Sequence, residues 1–182
     1  MKQLFNGGKD ESAPDFIRIG EVTSINAAAH TARVTFDDDD GVTSAELPVI
    51  VPNSIANSDY AMPDIGQDAL CVFLSTGKEQ GFLLGSFYAG EVTPPADSAD
   101  VRRVKFSDGT VIEYDRSAHK LTADVKGDVE VMATGKIDVT AAGDITLSSG
   151  GSVTITASGA LNMQSGGGGS WTGGGSINIG GD

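Results

Sequence analysis

The sequence predicts an all-β protein: a small antiparallel barrel followed by a shaft that three chains build together. Three observations support this prediction. Short β-branched runs separated by turn signals fill the first half of the chain, no segment shows an apolar stripe at the helical period, and an eight-residue repeat begins at Gly127. All 6 prolines lie in the first 95 residues, whereas 15 of the 25 glycines lie from Gly127 onward. The chain therefore has two chemically different parts.

Five short apolar runs within residues 16–92 predict a barrel domain. Each run is rich in β-branched or aromatic residues, and glycines, prolines or acidic residues separate one run from the next. Five strands in about 75 residues fit a small antiparallel barrel. The predicted strands are 16–25, 31–36, 47–51, 69–74 and 81–88.

The segments on either side of the barrel predict an arm and a linker. Residues 1–15 are polar and contain no apolar stretch long enough for a secretory signal. Within 93–126, Pro94 and Pro95 predict a stiff linker, and an Asp-Gly pair at Asp108 predicts a hairpin turn between 101–106 and 111–114.

From Gly127 the chain divides into seven octads without a gap. The third and fifth positions of each octad are apolar with one exception, Gly169, and the seventh is always small, so the pattern is that of a strand with one buried face. The glycines predicted at the corners of the shaft are Gly127, Gly135, Gly143, Gly151, Gly159, Gly167 and Gly175. The residues predicted to form the trimer core are Val129, Val131, Ile137, Val139, Ile145, Leu147, Val153, Ile155, Leu161, Met163, Trp171, Ile177 and Ile179.

The octads predict a homotrimer because one chain cannot bury them. An octad offers about six extended residues, roughly 20 Å, with only two sizeable apolar side chains. Three chains solve this problem if each octad forms one face of a triangular prism and glycine occupies the corner, where we expect a Cβ to clash. At about 4.8 Å per strand layer, seven octads give a shaft of roughly 34 Å.

The predicted shaft loses its charge along its length. The early octads carry Asp128, Glu130, Lys136, Asp138 and Asp144, whereas residues 145–181 contain no charged side chain. An uncharged end suits an element that pierces a bilayer, since bringing charge into the apolar core is costly. Small polar residues also suit a β-prism that simply stays in water.

Composition excludes several classes of protein. With 25 acidic and 12 basic residues, the net charge of -13 argues against a nucleic-acid partner, which requires clustered basic residues. No apolar run reaches the roughly 18 residues of a membrane span. Cys71 is the single cysteine, so no intrachain disulfide is possible.

We find no arrangement that predicts catalysis, a metal site or a cofactor. His30, in a turn, and His119, in a linker strand, are expected to be exposed surface residues, and Cys71 a buried packing residue. The run Asp37–Asp40 lacks the spacing of a calcium loop and predicts an acidic turn. The loop Gly77–Gly81 lacks the lysine and serine arrangement of a phosphate-binding loop.

The order of several short motifs resembles the baseplate assembly protein V family, the central spike of contractile-tailed phages and phage-like particles, which is related to the spikes of type VI secretion. The motifs that carry the resemblance are Ile19–Ile25, Ala32–Val34, Leu47–Val49, Pro63–Ala69, Gly81–Ser86 and Phe106–Thr110, followed by the octads.

This resemblance implies an OB-fold over residues 16–92, shaft-initiating strands within 93–126 and a triple-stranded β-helix over 127–182. It also implies a homotrimer in the tail baseplate of a virion or phage-like particle, made in the host cytoplasm. The barrel end would dock on a baseplate hub protein, and sheath contraction would drive the needle through the host outer membrane.

The sequence departs from the family in two respects. Many members end in a His-x-His pair that binds an apical iron, but the only histidines here are His30 and His119, so no iron is expected. A separate tip protein is then expected to cap the shaft, unless the natural chain continues beyond Asp182. Some relatives insert a lysozyme domain, for which residues 93–118 are too few.

Two other functions stay open at this point. A trimeric adhesin that recognises surface glycans would present aromatic residues outside the shaft, where only Trp171 is available and its position is inward. A polysaccharide lyase on a β-solenoid would need a basic residue and carboxylates on one face, which the octads lack.

Overall fold

The computed structural model describes residues 16–37, 40–75 and 80–170. These residues form β-strands and no helix, which confirms the predicted all-β class. The chain divides into two compact units, residues 1–130 and 131–182. The strands are β1 (Ile17–Asn26), β2 (Thr31–Phe36), β3 (Val42–Thr43), β4 (Leu47–Pro48), β5 (Asp68–Phe73), β6 (Gly81–Ser86), β7 (Val101–Lys105), β8 (Val111–Asp115) and β9 (Lys120–Asp124).

Strands β1 to β6 form one sheet that closes on itself. The hydrogen-bonded order is β3-β2-β1-β5-β6, and β4 pairs with β2 outside this path. Val49, directly after β4, forms a parallel bridge with Leu83 of β6, and the Ile50 amide donates to the Leu83 carbonyl at 2.9 Å. The strands therefore run around a ring in the order β1-β2-β4-β6-β5, which leaves an enclosed interior.

The interior of the ring is the hydrophobic core. Alternate residues of β2 and β5 are buried, as expected for strands that present one face to a core. The Phe36 and Phe73 rings meet edge to face at 5.7 Å, and the Arg18 guanidinium lies 3.9 Å from the centre of the Phe36 ring. The buried apolar residues are Val22, Ala32, Val34, Phe36, Leu47, Ala69, Cys71, Phe73 and Leu83.

Two glycines allow the walls of the ring to approach the core closely. A Cβ on Gly20 would press against the Thr35 carbonyl and lie 2.7 Å from Val34 Cγ1 and 2.8 Å from Phe36 Cδ1. A Cβ on Gly81 would lie 2.5 Å from the Val72 carbonyl oxygen. Any larger residue at either position would displace backbone or core side chains.

The predicted strands of the barrel are confirmed with shifts at their ends. The run predicted at 47–51 is a strand only over Leu47–Pro48, with a bridge at Val49. The strand predicted at 69–74 is observed over Asp68–Phe73, and within it Leu70 and Val72 are half-buried. The short β3 was not predicted, since two residues give no readable alternation.

A second sheet, β7-β8-β9, follows the barrel in the chain. The hairpin between β7 and β8 is confirmed. In its turn, Asp108 Oδ1 accepts the Thr110 amide at 2.8 Å, and Gly109 has a φ of 90°, a conformation that favours glycine. The hydrogen bonds from the Thr110 amide and the Thr110 hydroxyl lower the pKa of Asp108. Strand β9 extends the predicted hairpin.

Two arginines hold the linker against this sheet. Arg103 forms an ion pair with Glu113 across β7 and β8 and also donates to the Pro95 carbonyl. Arg116 pairs with Asp100, whose carbonyl accepts the Arg116 amide at 3.0 Å. The segment between the barrel and β7 is therefore fastened at both of these points.

We predict that Gly20→Ala destabilises the barrel by roughly 2 kcal/mol, because overpacking a close-packed core typically costs this much. Chemical denaturation monitored by far-ultraviolet circular dichroism measures the change in the free energy of unfolding. Ser86→Ala, at an exposed position of β6, is the control and is expected to change stability by less than about 0.5 kcal/mol. Equal stability of the two variants would contradict the close approach at Gly20.

Candidate functional site

The octad segment bends once per repeat. Within the described residues, each bend involves the last residue of one octad and the glycine that opens the next. The intervening residues are extended but belong to no strand of the single chain. The bends lie at 126–127, 134–135, 142–143, 150–151, 158–159 and 166–167.

In the described octad residues, the backbone has no backbone partner within the chain. No backbone-to-backbone hydrogen bond joins any of residues 127–170. The few hydrogen bonds present there involve side chains, such as the Gly151 amide donating to Ser149 Oγ at 3.1 Å. Backbone N–H and C=O groups of extended chain require hydrogen-bond partners. In this segment they are left unpaired with other backbone groups, as they are along the edge of a sheet.

The apolar side chains of the octads are exposed in the single chain. The ten predicted core residues from Val129 to Met163 have exposed fractions between 53% for Val153 and 75% for Leu147. Fully burying one such side chain stabilises a fold by about 1.5–3 kcal/mol. The segment therefore carries a regular row of apolar groups that the chain itself does not cover. Trp171, Ile177, Ile179 and the corner Gly175 lie outside the described residues.

The corner glycines show no steric requirement within one chain. A Cβ on any corner glycine from Gly127 to Gly167 would meet no atom within 4 Å, and none of these glycines has a left-handed φ. The expected clash at the corner is therefore not an intrachain clash. The prediction that glycine is required at the corners therefore stays a prediction.

The β7-β8-β9 sheet exposes a second apolar face. Val104 pairs with Ile112, and Tyr114 pairs with Leu121, so these four side chains share one face of the sheet. Their exposed fractions run from 45% for Tyr114 to 71% for Leu121. In the sequence this face is visible in β8, where Ile112 and Tyr114 alternate with Glu113.

The exposure of His30 and the secondary structure around His119 differ from the predictions. His30 lies in the predicted turn with a φ of 54°, but its two ring nitrogens are buried without a hydrogen-bond partner, and its ring lies 5.1 Å from that of Tyr60. The prediction of an exposed His30 is therefore wrong, because residues around Tyr60 fold over it. His119 is exposed, as predicted, although it lies in the turn between β8 and β9 and not in a strand. Neither histidine belongs to the octads.

Cys71 is the predicted packing residue. It is fully buried in β5, and burial raises the pKa of its thiol to about 11, although the nearby positive charge of Arg18 opposes this shift. Such a thiol stays protonated at neutral pH and is a poor nucleophile.

The other segments considered for metal or phosphate binding form no such site among the described residues. Asp37 and Asp40 lie in the turn after β2, and Asp38 and Asp39 lie outside the described residues, as does most of the loop Gly77–Gly81. Among residues 16–37, 40–75 and 80–170, no three His, Cys, Asp or Glu side chains lie close enough to hold a metal ion. A groove of about 240 Å³ beside β6 is lined by Ile50, Met62, Leu83 and neighbours, none of them titratable.

The chain is similar to the protein named "Spike protein" of Escherichia phage P2, with 25% identity over 126 residues. The match covers 69% of this chain and 58% of the relative, so the chain spans little more than half the length of the curated relative it matches. This similarity relates the chain to a phage spike protein. No protein-family model matches the chain. Among the described residues, no helix has the length and apolar content needed to cross a membrane.

We predict that Cys71 does not react with a thiol reagent at pH 8 while the barrel is folded. Its thiol is buried and its pKa of about 11 leaves it almost fully protonated there. Mass spectrometry after brief iodoacetamide treatment measures the modified fraction, with the same treatment in denaturant as the positive control. Rapid modification of the native chain would contradict the closed ring.

We predict that Leu147→Ala weakens the assembly of the octads far more than Thr146→Ala, its neighbour on the opposite face. Removing one Leu side chain costs about 2–5 kcal/mol, and a trimer loses three of them. The midpoint of thermal dissociation, followed by gel electrophoresis in detergent, measures the difference. Equal midpoints for the two variants would show that the third and fifth positions of the octad do not face a shared interior.

Proposed function

We propose that this protein is the central spike of a contractile phage tail or phage-like particle. It would act as a non-enzymatic homotrimer that punctures the host outer membrane. The observation that carries the proposal is the octad segment, which bends every eight residues and exposes its apolar side chains and backbone groups. The similarity to a phage spike protein supports the same assignment.

The order of the barrel strands supports an OB-fold for residues 16–92. A five-stranded barrel of this kind is a partly open Greek-key structure in which not all neighbours in space are neighbours in sequence. Here β1 pairs with both β2 and β5, and the ring closes through a parallel bridge between Val49 and Leu83. In the proposed spike, this barrel docks on a hub protein at the end of the tail tube.

The octads would form a triple-stranded β-helix in which each chain supplies the partners that the others lack. Every extended octad would then have a neighbour on both edges, and three copies of each apolar residue would fill the interior. Each layer would give the shaft stiffness through hydrogen bonds that run between chains. Force from sheath contraction would be transmitted along this shaft.

The charge pattern supports a piercing role for the distal part of the shaft. In the described octads the last charged residue is Asp144, and the exposed pair Lys136 and Asp138 lies in the second octad, with 2.8 Å between Lys136 Nζ and Asp138 Oδ2. Residues 145–181, which contain no charged side chain, would enter the bilayer without carrying charge into it. The spike would hold no iron and no other cofactor, and a separate small protein would cap its tip.

Electron microscopy of contractile particles assembled with and without this chain tests the proposal. We expect a density with threefold symmetry on the tail axis at the distal end of the baseplate, absent from particles that lack the chain. Density at the periphery of the baseplate instead would contradict a central spike and would favour the adhesin alternative.

A further inference from the structure

The β7-β8-β9 sheet has one apolar face. Two rows of residues paired in register across the three strands share this side of the sheet. Of these six residues only Arg102 is charged, and it lies on β7, the strand farthest from β9. Each of the other five is exposed in the single chain. We call these five residues the apolar face: Val104, Ile112, Tyr114, Leu121 and Ala123.

The opposite side of the same sheet carries most of its charge. Arg103 and Glu113 form an ion pair there, across β7 and β8. The two sides of the sheet therefore differ in the way that the inside and the outside of a shaft wall are expected to differ. Six of the nine residues paired on this side are charged: Arg103, Lys105, Glu113, Asp115, Lys120 and Asp124.

Strand β9 has the length and the spacing of an octad. Six residues lie between successive bends of the described octads, and the six residues 120–125 lie between the turn that ends at His119 and the bend at 126–127. His119 precedes Gly127 by eight residues, which is also the distance between successive corner glycines. In the sequence, β9 therefore occupies the place of one further repeat before the seven octads.

The side chains of β9 also keep the phase of the octads. Counted from His119, Leu121 and Ala123 fall at the third and fifth positions, where the octads have the residues predicted to face a shared interior. Because a period of eight is even, residues that alternate along the chain keep the same parity in every repeat. In phase, the pair Leu121 and Ala123 thus precedes the pair Val129 and Val131. This pair belongs to the apolar face, so the phase assigns that face to the interior.

Strand β9 has one closed edge and one open edge. β8 pairs with the first, and no strand among the described residues pairs with the second. A stack of repeats needs a terminal repeat whose outer edge is covered, because an open edge pairs readily with other chains. β8 covers β9 in this way, which is the arrangement expected where a stack begins.

The short connection to the octads determines which partner the apolar face meets. Asp124 and Gly127 are three residues apart, a distance of at most about 11 Å. In the proposed homotrimer the first octads of three chains lie against one another, so the three copies of β9 are held together at the head of the shaft. The chain's own described residues leave the apolar face exposed, whereas the other two copies bring the same uncharged surface to it.

From these observations we infer that β9 is the first rung of the shaft and that the apolar face packs against the apolar faces of two other copies of this chain. The interior of the trimer then begins upstream of Gly127, in a segment that has no corner glycine. The inference rests on the proposed homotrimer and adds to it an interface that the octads do not make.

Photochemical cross-linking in the full-length protein tests this contact. With p-azidophenylalanine in place of Tyr114, an aromatic side chain remains on the apolar face, and irradiation links it to its neighbours. On a denaturing gel we expect a product of twice the 18.6 kDa mass of the chain, and mass spectrometry is expected to place the link within residues 101–133 of a second chain. The same substitution at Lys120, an exposed residue on the opposite side of the sheet, is the matched control and is expected to give no such product.

Three results would overturn the inference while the protein still sediments as a trimer. These are the absence of interchain links from position 114, interchain links from position 114 to the barrel or the arm, and equal interchain yields from positions 114 and 120. Sedimentation as a monomer would instead contradict the proposed function, and the inference with it.

Thiol accessibility gives an independent measurement on β9 itself. Leu121 is 71% exposed in the single chain, so a thiol at this position is accessible unless other chains cover it. We expect the new thiol of Leu121→Cys to react with iodoacetamide at least about tenfold more slowly than that of Lys120→Cys, because reactivity follows exposure. Cys71 does not interfere, since it is buried in the barrel. Equal rates in an intact trimer would show that the apolar face stays open to solvent.

Discussion

The structure depends on one constraint: the octad segment cannot satisfy its own backbone or bury its own side chains. Residues 127–170 form no backbone hydrogen bond with one another, and ten apolar side chains stand more than half exposed at a regular spacing. Glycine-rich extended chain also loses much conformational entropy when it becomes ordered. In the proposed homotrimer, the other two chains would supply both the hydrogen bonds and the apolar surface that this segment lacks.

The barrel has the opposite character, and the contrast assigns different tasks to the two parts. Its ring closes through Val49 and Leu83, and its core is complete within one chain. Gly20 and Gly81 let the walls approach that core closely. The barrel thus buries its apolar residues within one chain, whereas the described octads leave theirs exposed. In the proposed spike, the barrel would dock on the hub and the octads would assemble with those of the other two chains.

Alternation and turn residues were sufficient to predict most of the fold, because both are local properties of the sequence. Long strands such as β2 were readable in this way, whereas the two-residue β3 was not. The ring closure and the buried position of His30 depend on contacts between residues distant in sequence. The apolar run around Leu70 does not show which of its residues are buried, because in a barrel wall one face points outward and the other faces the core. The octads were readable because the repeat is periodic, whereas a single chain does not show what their exposed side chains contact.

Sedimentation equilibrium of the full chain at micromolar concentration tests the central claim most directly. The account predicts one species with three times the 18.6 kDa mass of the chain, stable to dilution. A folded monomer whose octad residues give well-dispersed amide resonances would contradict it, since a single chain would then satisfy the repeat without partners.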